Sequence, residues 1–475
     1  MIQITCKESI YTYDTYHIIK AFFPETEIRQ RVDQEQESLI EIHEEGGSCS
    51  FRIDKGMLEG ETLKEQKRSA GRVLYRQLVS LTGKELPWGI LTGIRPTKII
   101  SRLLEGGNND SETVKYLREN YHVSGEKAKL GIRIARTEKS LLQKLDYQKG
   151  YSLYIGIPFC PTTCSYCSFT SYPIQKWQKR MKEYLNTLIK EITYIAQVMK
   201  TRYLNTIYIG GGTPTTLEPA ELELLLDHLR QHFDMEHLIE FTVEAGRPDS
   251  ITADKLRVLY KYGVTRISIN PQTMQQQTLD MIGRNHTVQQ VVDTYHMARE
   301  QGFRNINMDL IAGLPGERIN DVEDSLNKLK ELAPDSLTIH ALAIKRAAKL
   351  GQENYSSQIN AGELAAMIEM GGEKAGEMGM IPYYLYRQKN IAGSFENVGY
   401  AKVDKAGIYN ILIMEEVQSI IAAGAGVITK VKLSEPIIRN QKVSELIRLE
   451  NVKDIEGDIT RIDEMIERKE EWLWR

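Results

Sequence analysis

Apolar and polar positions follow two different rhythms along this chain. Over the first 145 or so residues no strand–helix unit repeats. The spacing there predicts helices over 11–23 and 68–81, strands over 38–43 and 48–53 around a Gly46-Gly47 turn, and a charged helical stretch over 112–145. From Tyr151 onward short β-rich runs (151–157, 206–209, 239–244, 265–270, 305–310, 336–340) alternate with helical runs (175–200, 217–233, 253–262, 275–282, 288–301, 322–332). Such alternation is the signature of a parallel sheet with crossover helices. Six strands within about 190 residues fall short of the eight units and ~250 residues of a closed barrel. The expected fold is therefore α/β, a partial (β/α)6 barrel over 146–345, with an N-terminal α+β domain over 1–145 and a C-terminal cap or extension over 346–475. In that last part the pattern predicts a helix over 362–378, a Tyr383–Tyr386 strand, an apolar run over 417–421 and a charged helical tail over 445–475.

Three barrel strands alternate in polarity. Glu240, Thr242 and Glu244 share one face, as do Arg266, Ser268 and Asn270, and Asn305, Asn307 and Asp309. A parallel sheet covered on both faces reads as continuously apolar, so a polar face points to a wet lumen holding a ligand. The plainer alternative is an antiparallel sheet open to solvent, which the intervening helices disfavour.

Charge and composition narrow the partners. Lys and Arg number 61 against 64 Asp and Glu, a net charge of −3, which supplies no overall basic field for nucleic acid. The longest uncharged apolar stretch near the C-terminus, 417–429, is short of the ~20 residues of a membrane span. Charges at Lys7, Glu8 and Asp14 leave no room for a secretory apolar segment. A cytoplasmic protein is expected.

The five cysteines do not suit a disulfide framework. Cys6 and Cys49 stand alone and read as structural. The other three form Cys160-Pro161-Thr162-Thr163-Cys164-Ser165-Tyr166-Cys167, directly after the first barrel strand. Three thiolates from one tight loop suit three corners of a [4Fe–4S] cube and leave one iron open to an exogenous ligand. The alternative is zinc with three cysteines and a distant histidine, disfavoured because the sequence neighbours, His122 and His228, are far away.

This Cys-x3-Cys-x2-Cys run, with an aromatic residue before its last cysteine, resembles the signature of the radical S-adenosylmethionine (SAM) superfamily. The flanking Tyr154-Ile155-Gly156-Ile157-Pro158-Phe159 and Ser168-Phe169 are most similar to the oxygen-independent coproporphyrinogen III oxidase group. The N-terminal domain and the 88–96 loop are most similar to its HemZ-type branch. The resemblance implies a [4Fe–4S] cluster on Cys160, Cys164 and Cys167, and SAM contacts from Tyr154, Tyr166, Gly211, Gly212, Thr213 and Glu244. Gln272, Arg284 and Asp309 match a second SAM site, and Ala343 matches it by spacing alone.

Each of these has a plainer reading: a tight turn for the glycines, a structural ion-pair network for Glu244, Asp309 and Arg284, and a helix end for Gln272. The set taken together favours SAM. The implied function is anaerobic oxidative decarboxylation of coproporphyrinogen III to protoporphyrinogen IX, with electrons from a flavodoxin or ferredoxin. Arg284, Arg266 and Lys345-Arg346 are the candidate anchors for the propionates of a tetrapyrrole. Two departures stand out. Phe169 occupies the position of the dehydrogenases' fourth cysteine. Glu396-Asn397-Val398-Gly399-Tyr400-Ala401 stands where the haem-chaperone branch has His-Asn-x-x-Tyr-Trp. A haem chaperone and a radical SAM tetrapyrrole methyltransferase are the alternative functions.

Overall fold

The computed structural model describes residues 1–46, 50–167, 171–343, 348, 350, 360–388, 394–439 and 442–473. Cys49, Phe169, the Lys345-Arg346 pair and the start of the 48–53 run lie outside the described residues. The chain separates into two compact units. One comprises Met1–Thr137, Ala341–Ala366 and Leu385–Val398; the other comprises Glu138–His340, Met367–Tyr384 and Gly399–Arg475.

The first unit is built on a four-stranded sheet of order β2-β1-β3-β4, from β1 (Ile2–Cys6), β2 (Ile28–Val32), β3 (Ile40–Glu44) and β4 (Ser50–Ile53). Two of these strands, β1 and β2, escape the sequence reading. β2 (Ile-Arg-Gln-Arg-Val) is a mostly exposed edge with no apolar face to betray it. Helices Thr12–Phe22 and Leu63–Thr82 accompany the sheet around a core that includes Ile2, Ile4, Ile18, Phe22, Leu74 and Leu78. Leu63–Thr82 begins five residues before its predicted start because Thr62 and Glu65 form a reciprocal capping box. The charged 112–145 stretch is two helices, Asp110–Tyr121 and Gly125–Leu142, broken where His122 adopts a left-handed φ of 56°.

The same unit buries Trp88, whose indole Nε1 donates to Glu396 Oε2 at 2.8 Å. Lys127 Nζ reaches Glu396 Oε1 at 2.5 Å, so a carboxylate with 0% exposure is held by one neutral and one charged donor.

The second unit carries the strand–helix alternation. Its six strands are β5 (Gly150–Ile157), β8 (Tyr203–Gly211), β9 (Glu240–Glu244), β10 (Arg266–Ser268), β11 (Ile306–Ala312) and β12 (Ser336–Ala341). Between β5 and β8 come two short strands, β6 (Phe159–Cys160) and β7 (Tyr172–Pro173). Pairing is parallel from β5 through β11, as the alternation predicts. Among the described residues the sheet is larger than the six strands. β13 (Ile381–Tyr386) and β14 (Asn397–Ala401) extend it beyond β12. β15 (Ser419–Ala423), β16 (Ile428–Arg439) and β17 (Lys442–Glu450) extend it beyond β5.

The predicted helical tail over 445–475 is therefore wrong in its first part. Residues 442–450 pair antiparallel with β16, and only Ile455–Thr460 and Ile462–Leu473 are helical. Lys469 is buried there and donates to Glu191 Oε1 at 2.5 Å and to Asn451 Oδ1 at 2.7 Å.

The polar inner face is not uniformly wet. Its lower tier is closed by helix Ile408–Glu415, whose first amides, Ile408 N and Tyr409 N, donate to Glu240 at 2.5 and 3.4 Å. A carboxylate at a helix N-terminus satisfies orphan N–H groups and meets the positive end of the dipole. Beside it, Arg266 (2% exposed) donates to Ser336 Oγ at 2.9 Å, and Ser336 donates to Asn307 Oδ1 at 3.0 Å. Asn307 Nδ2 passes the chain on to Asp309 Oδ1 at 2.7 Å.

Glu240→Ala is expected to lower unfolding free energy by about 3 kcal/mol, because it strips the helix cap and leaves Arg266 without its nearby carboxylate. Exposed Glu236→Ala should stay within about 0.5 kcal/mol of the parent. Urea denaturation of both variants checks the difference.

Candidate functional site

The three-cysteine loop is clamped from two sides. On one side the turn after β8 pairs with the strand that delivers the cysteines: Gly212 N donates to Ile157 O and Thr213 N to Phe159 O, both at 2.7 Å. A Cβ at Gly212 would stand 2.5 Å from Phe159 O, and Gly211 has φ +104°, so the turn requires glycine at both positions. On the other side, Ser165 N donates to Ile282 O and Thr162 Oγ1 to Gly283 O, each at 3.0 Å. Cys160, Cys164 and Cys167 are half-buried and in no disulfide.

Side-chain donors already address two of the sulfurs. Thr213 Oγ1 lies 3.4 Å from Cys160 Sγ, and Arg247 Nη1 lies 3.6 Å from Cys164 Sγ. Burial pushes the Cys160 thiol up to about 11, and a metal reverses that by deprotonating a coordinating thiol. Three soft thiols from one loop, two of them met by side-chain donors, fit an iron–sulfur cluster.

Beside the loop, Glu244 ends β9 and accepts a short hydrogen bond from Tyr208. Gly210 leaves the room it needs: a Cβ there would lie 2.9 Å from Glu244 Oε2. Tyr154 and Tyr409 stack on Tyr208 at centroid distances of 6.0 and 4.4 Å and floor the open tier. Burial, with the charge of Asp309 added, pushes Glu244 up to about 7. Asp309 stays below the usual carboxylate range despite its burial, because His340, Asn307 and Thr338 hydrogen-bond it. Gln272 joins this group through its backbone: its N–H donates to Asp309 O at 2.9 Å, and it holds a left-handed φ of 69°, a conformation that costs a non-glycine residue energy.

Other candidates sit differently. The guanidinium of Arg284 is spent on backbone carbonyls, Asn270 O at 2.6 Å, Pro271 O at 3.1 Å and Gly246 O at 2.9 Å, and ties together the turns after β9 and β10. Arg266 lies in the sealed lower tier and is no propionate anchor at the mouth. Tyr166 stands among Cys164, Cys167 and Arg284, with its hydroxyl raised by burial. Ala343, just past β12, falls in the other compact unit.

Two residues of the site escape the sequence reading. His340 Nε2 faces Asp309 Oδ2 at 3.7 Å. The alternation Ser336, Thr338, His340 along β12 is the signal that could have found it. Arg247 follows Glu244 by three residues in a Gly-Arg-Pro turn, where a charged residue has no periodicity to announce it.

With this geometry in view, the profile of the Radical SAM superfamily matches residues 154–329. The oxygen-independent coproporphyrinogen-III oxidase-like protein HemZ of Bacillus subtilis (strain 168) is 43% identical over 380 residues, covering 79% of this chain and 76% of that protein. The haem chaperone HemW of the same organism is 40% identical over 197 residues, 41% of this chain and 51% of that protein. The solved structure of coproporphyrinogen III oxidase (HemN) from Escherichia coli, described as a radical SAM enzyme, superposes with a TM-score of 0.55 at 21% identity, covering 69% of this chain and 73% of that one. The chain belongs to the radical SAM superfamily, in the HemZ family of coproporphyrinogen-III oxidase-like proteins. Cofactors of the superfamily are a [4Fe–4S] cluster and SAM. Among the described residues no helix is long and apolar enough to cross a membrane.

The raised Glu244 carboxyl makes a signed prediction. Burial holds this carboxyl up at about 7 in the folded chain, above its ordinary 4.5, so the stability it contributes is complete below pH 4.5 and is lost as pH rises through 7. Glu244→Gln should remove that dependence, and its stability relative to the parent should rise between pH 5 and 8 in denaturation series.

Proposed function

We propose that this chain is a radical SAM oxidoreductase of haem biosynthesis that converts coproporphyrinogen III anaerobically to protoporphyrinogen IX. The observation that carries the reading is the clamped loop presenting Cys160, Cys164 and Cys167 next to the Gly210–Thr213 turn and the half-buried Glu244. The three cysteines hold the cluster. Tyr154, Tyr166, Gly211, Gly212, Thr213 and Glu244 form the SAM wall, while Gln272 and Asp309 serve a second SAM or substrate position. Arg284 acts on that position by holding the Gly246 and Asn270-Pro271 turns. Bound there, a cluster and SAM would supply one-electron chemistry directed at a substrate propionate. The tyrosine stack beneath Glu244 keeps water from the lower lumen and shields such chemistry. A flavodoxin or ferredoxin donates the electrons.

The position of Glu396 weighs against the haem-carrier alternative. Where the chaperone branch has a histidine, this chain has a carboxylate with 0% exposure, held by Trp88 and Lys127.

Reconstitution with iron and sulfide should load one [4Fe–4S] cluster, lost in Cys160→Ala, Cys164→Ala or Cys167→Ala and retained in Cys6→Ala; iron, sulfide and optical measurements check it. Glu244→Ala should keep the cluster and weaken SAM binding by about 10- to 150-fold, the equivalent of ~1.5–3 kcal/mol for a charge-assisted hydrogen bond. Anaerobic turnover with coproporphyrinogen III, SAM and reductant should give a tetrapyrrole lighter by two CO₂ and four hydrogens, with 5′-deoxyadenosine alongside. Stoichiometric haem binding and delivery with no change in tetrapyrrole mass would instead make the protein a carrier, and a methylated product would make it a methyltransferase.

A further inference from the structure

We infer that Arg247 is a positioning residue that sets the reduction potential of a cluster held by Cys160, Cys164 and Cys167; this rests on the cluster reading above. Arg247 is 3% exposed. Asp249 grips its guanidinium with two bonds, Nε to Oδ1 at 2.9 Å and Nη2 to Oδ2 at 2.8 Å. The remaining N–H groups point at the cysteine loop. Nη2 reaches Thr162 Oγ1 at 3.1 Å, and Nη1 reaches Thr162 O at 3.3 Å and Cys164 Sγ at 3.6 Å. The planar fork permits this division of labour, which a lysine cannot reproduce.

Reduction adds one electron from an external one-electron donor to the cluster, [4Fe–4S]²⁺ to [4Fe–4S]⁺, and makes an already anionic site more negative. A buried cation donating to a cluster thiolate stabilises the reduced form more than the oxidised form. Hydrogen bonds to the sulfurs and local net charge are the terms that tune such potentials. Asp249 adds to the argument: without Arg247 its carboxylate stands uncompensated beside the loop and pushes the potential further down.

The test is a redox titration of the reconstituted full-length protein, followed by EPR, with dithionite as reductant. Arg247→Gln should keep iron and sulfide content and shift the midpoint to more negative potential, with Arg247→Lys between it and the parent. A parental midpoint in a fully loaded Arg247→Gln protein would overturn the inference and leave Arg247 a clamp for the loop. If the Gln variant fails to hold a cluster, the Lys variant decides: a more negative midpoint supports the inference, and an unchanged one overturns it. Failure of the parent protein to hold any cluster would overturn the functional reading itself, and this inference with it.

Discussion

A parallel sheet that turns Glu240, Thr242, Arg266, Ser268 and Asn307 inward must satisfy every one of those groups, since a buried unpaired polar or charged group costs several kcal/mol. The answer is helix Ile408–Glu415, which sets its unsatisfied N-terminal amides on the Glu240 carboxylate. The Arg266–Ser336–Asn307–Asp309 relay takes Arg266 Nη2 and the Asn307 amide. Thr242 donates to Glu240 and Ser268 accepts from Asn307, and among the described residues Arg266 Nε is left without a hydrogen-bond partner. With the lower tier sealed, only the rim is left open, so Glu244, Asp309 and His340 form a polar patch there while their neighbours along the same strands are dry. The division of the inner face into a closed and an open tier is what makes this sheet a site.

The rim is then built by close approach. The Gly-Gly-Thr turn after β8 lies against the strand that carries Cys160, and two backbone bonds lock it. That contact fixes the cysteine loop relative to Glu244, because the turn and Glu244 end neighbouring strands. The Ile282-Gly283 turn holds the opposite side. Gly211, Gly212 and Thr213, which resemble SAM contacts, thus also define the geometry of the loop itself. A glycine at 212 serves backbone packing whatever else it touches.

The two compact units answer different questions. The second carries the chemistry common to the superfamily. The first buries Glu396, on which Trp88 and Lys127 converge. A buried carboxylate with two good donors is costly to release, so the 394–398 segment is anchored within this unit.

By itself the sequence determined the strand–helix alternation, the partial barrel, the cysteine run, the polar inner face and the position of Glu244 at its edge. These are carried by covalent spacing and by two- and 3.6-residue periods, which local sequence reports faithfully. It did not reveal the edge strand β2, whose charged residues face solvent, or β17, whose mixed charged pattern reads equally well as helix. Nor did it show which charges are free to act. Arg266 and Arg284 look like substrate anchors in a list of residues, yet one is consumed by a buried relay and the other by three carbonyls. Arg247 looks like a turn residue and points at a cysteine sulfur. Glu240 meets its helix 168 residues along the chain, and Trp88 meets Glu396 308 residues along it. Only the tertiary structure decided these pairings, because a buried charge is defined by the partners that replace its water, and no periodicity encodes a partner that far away.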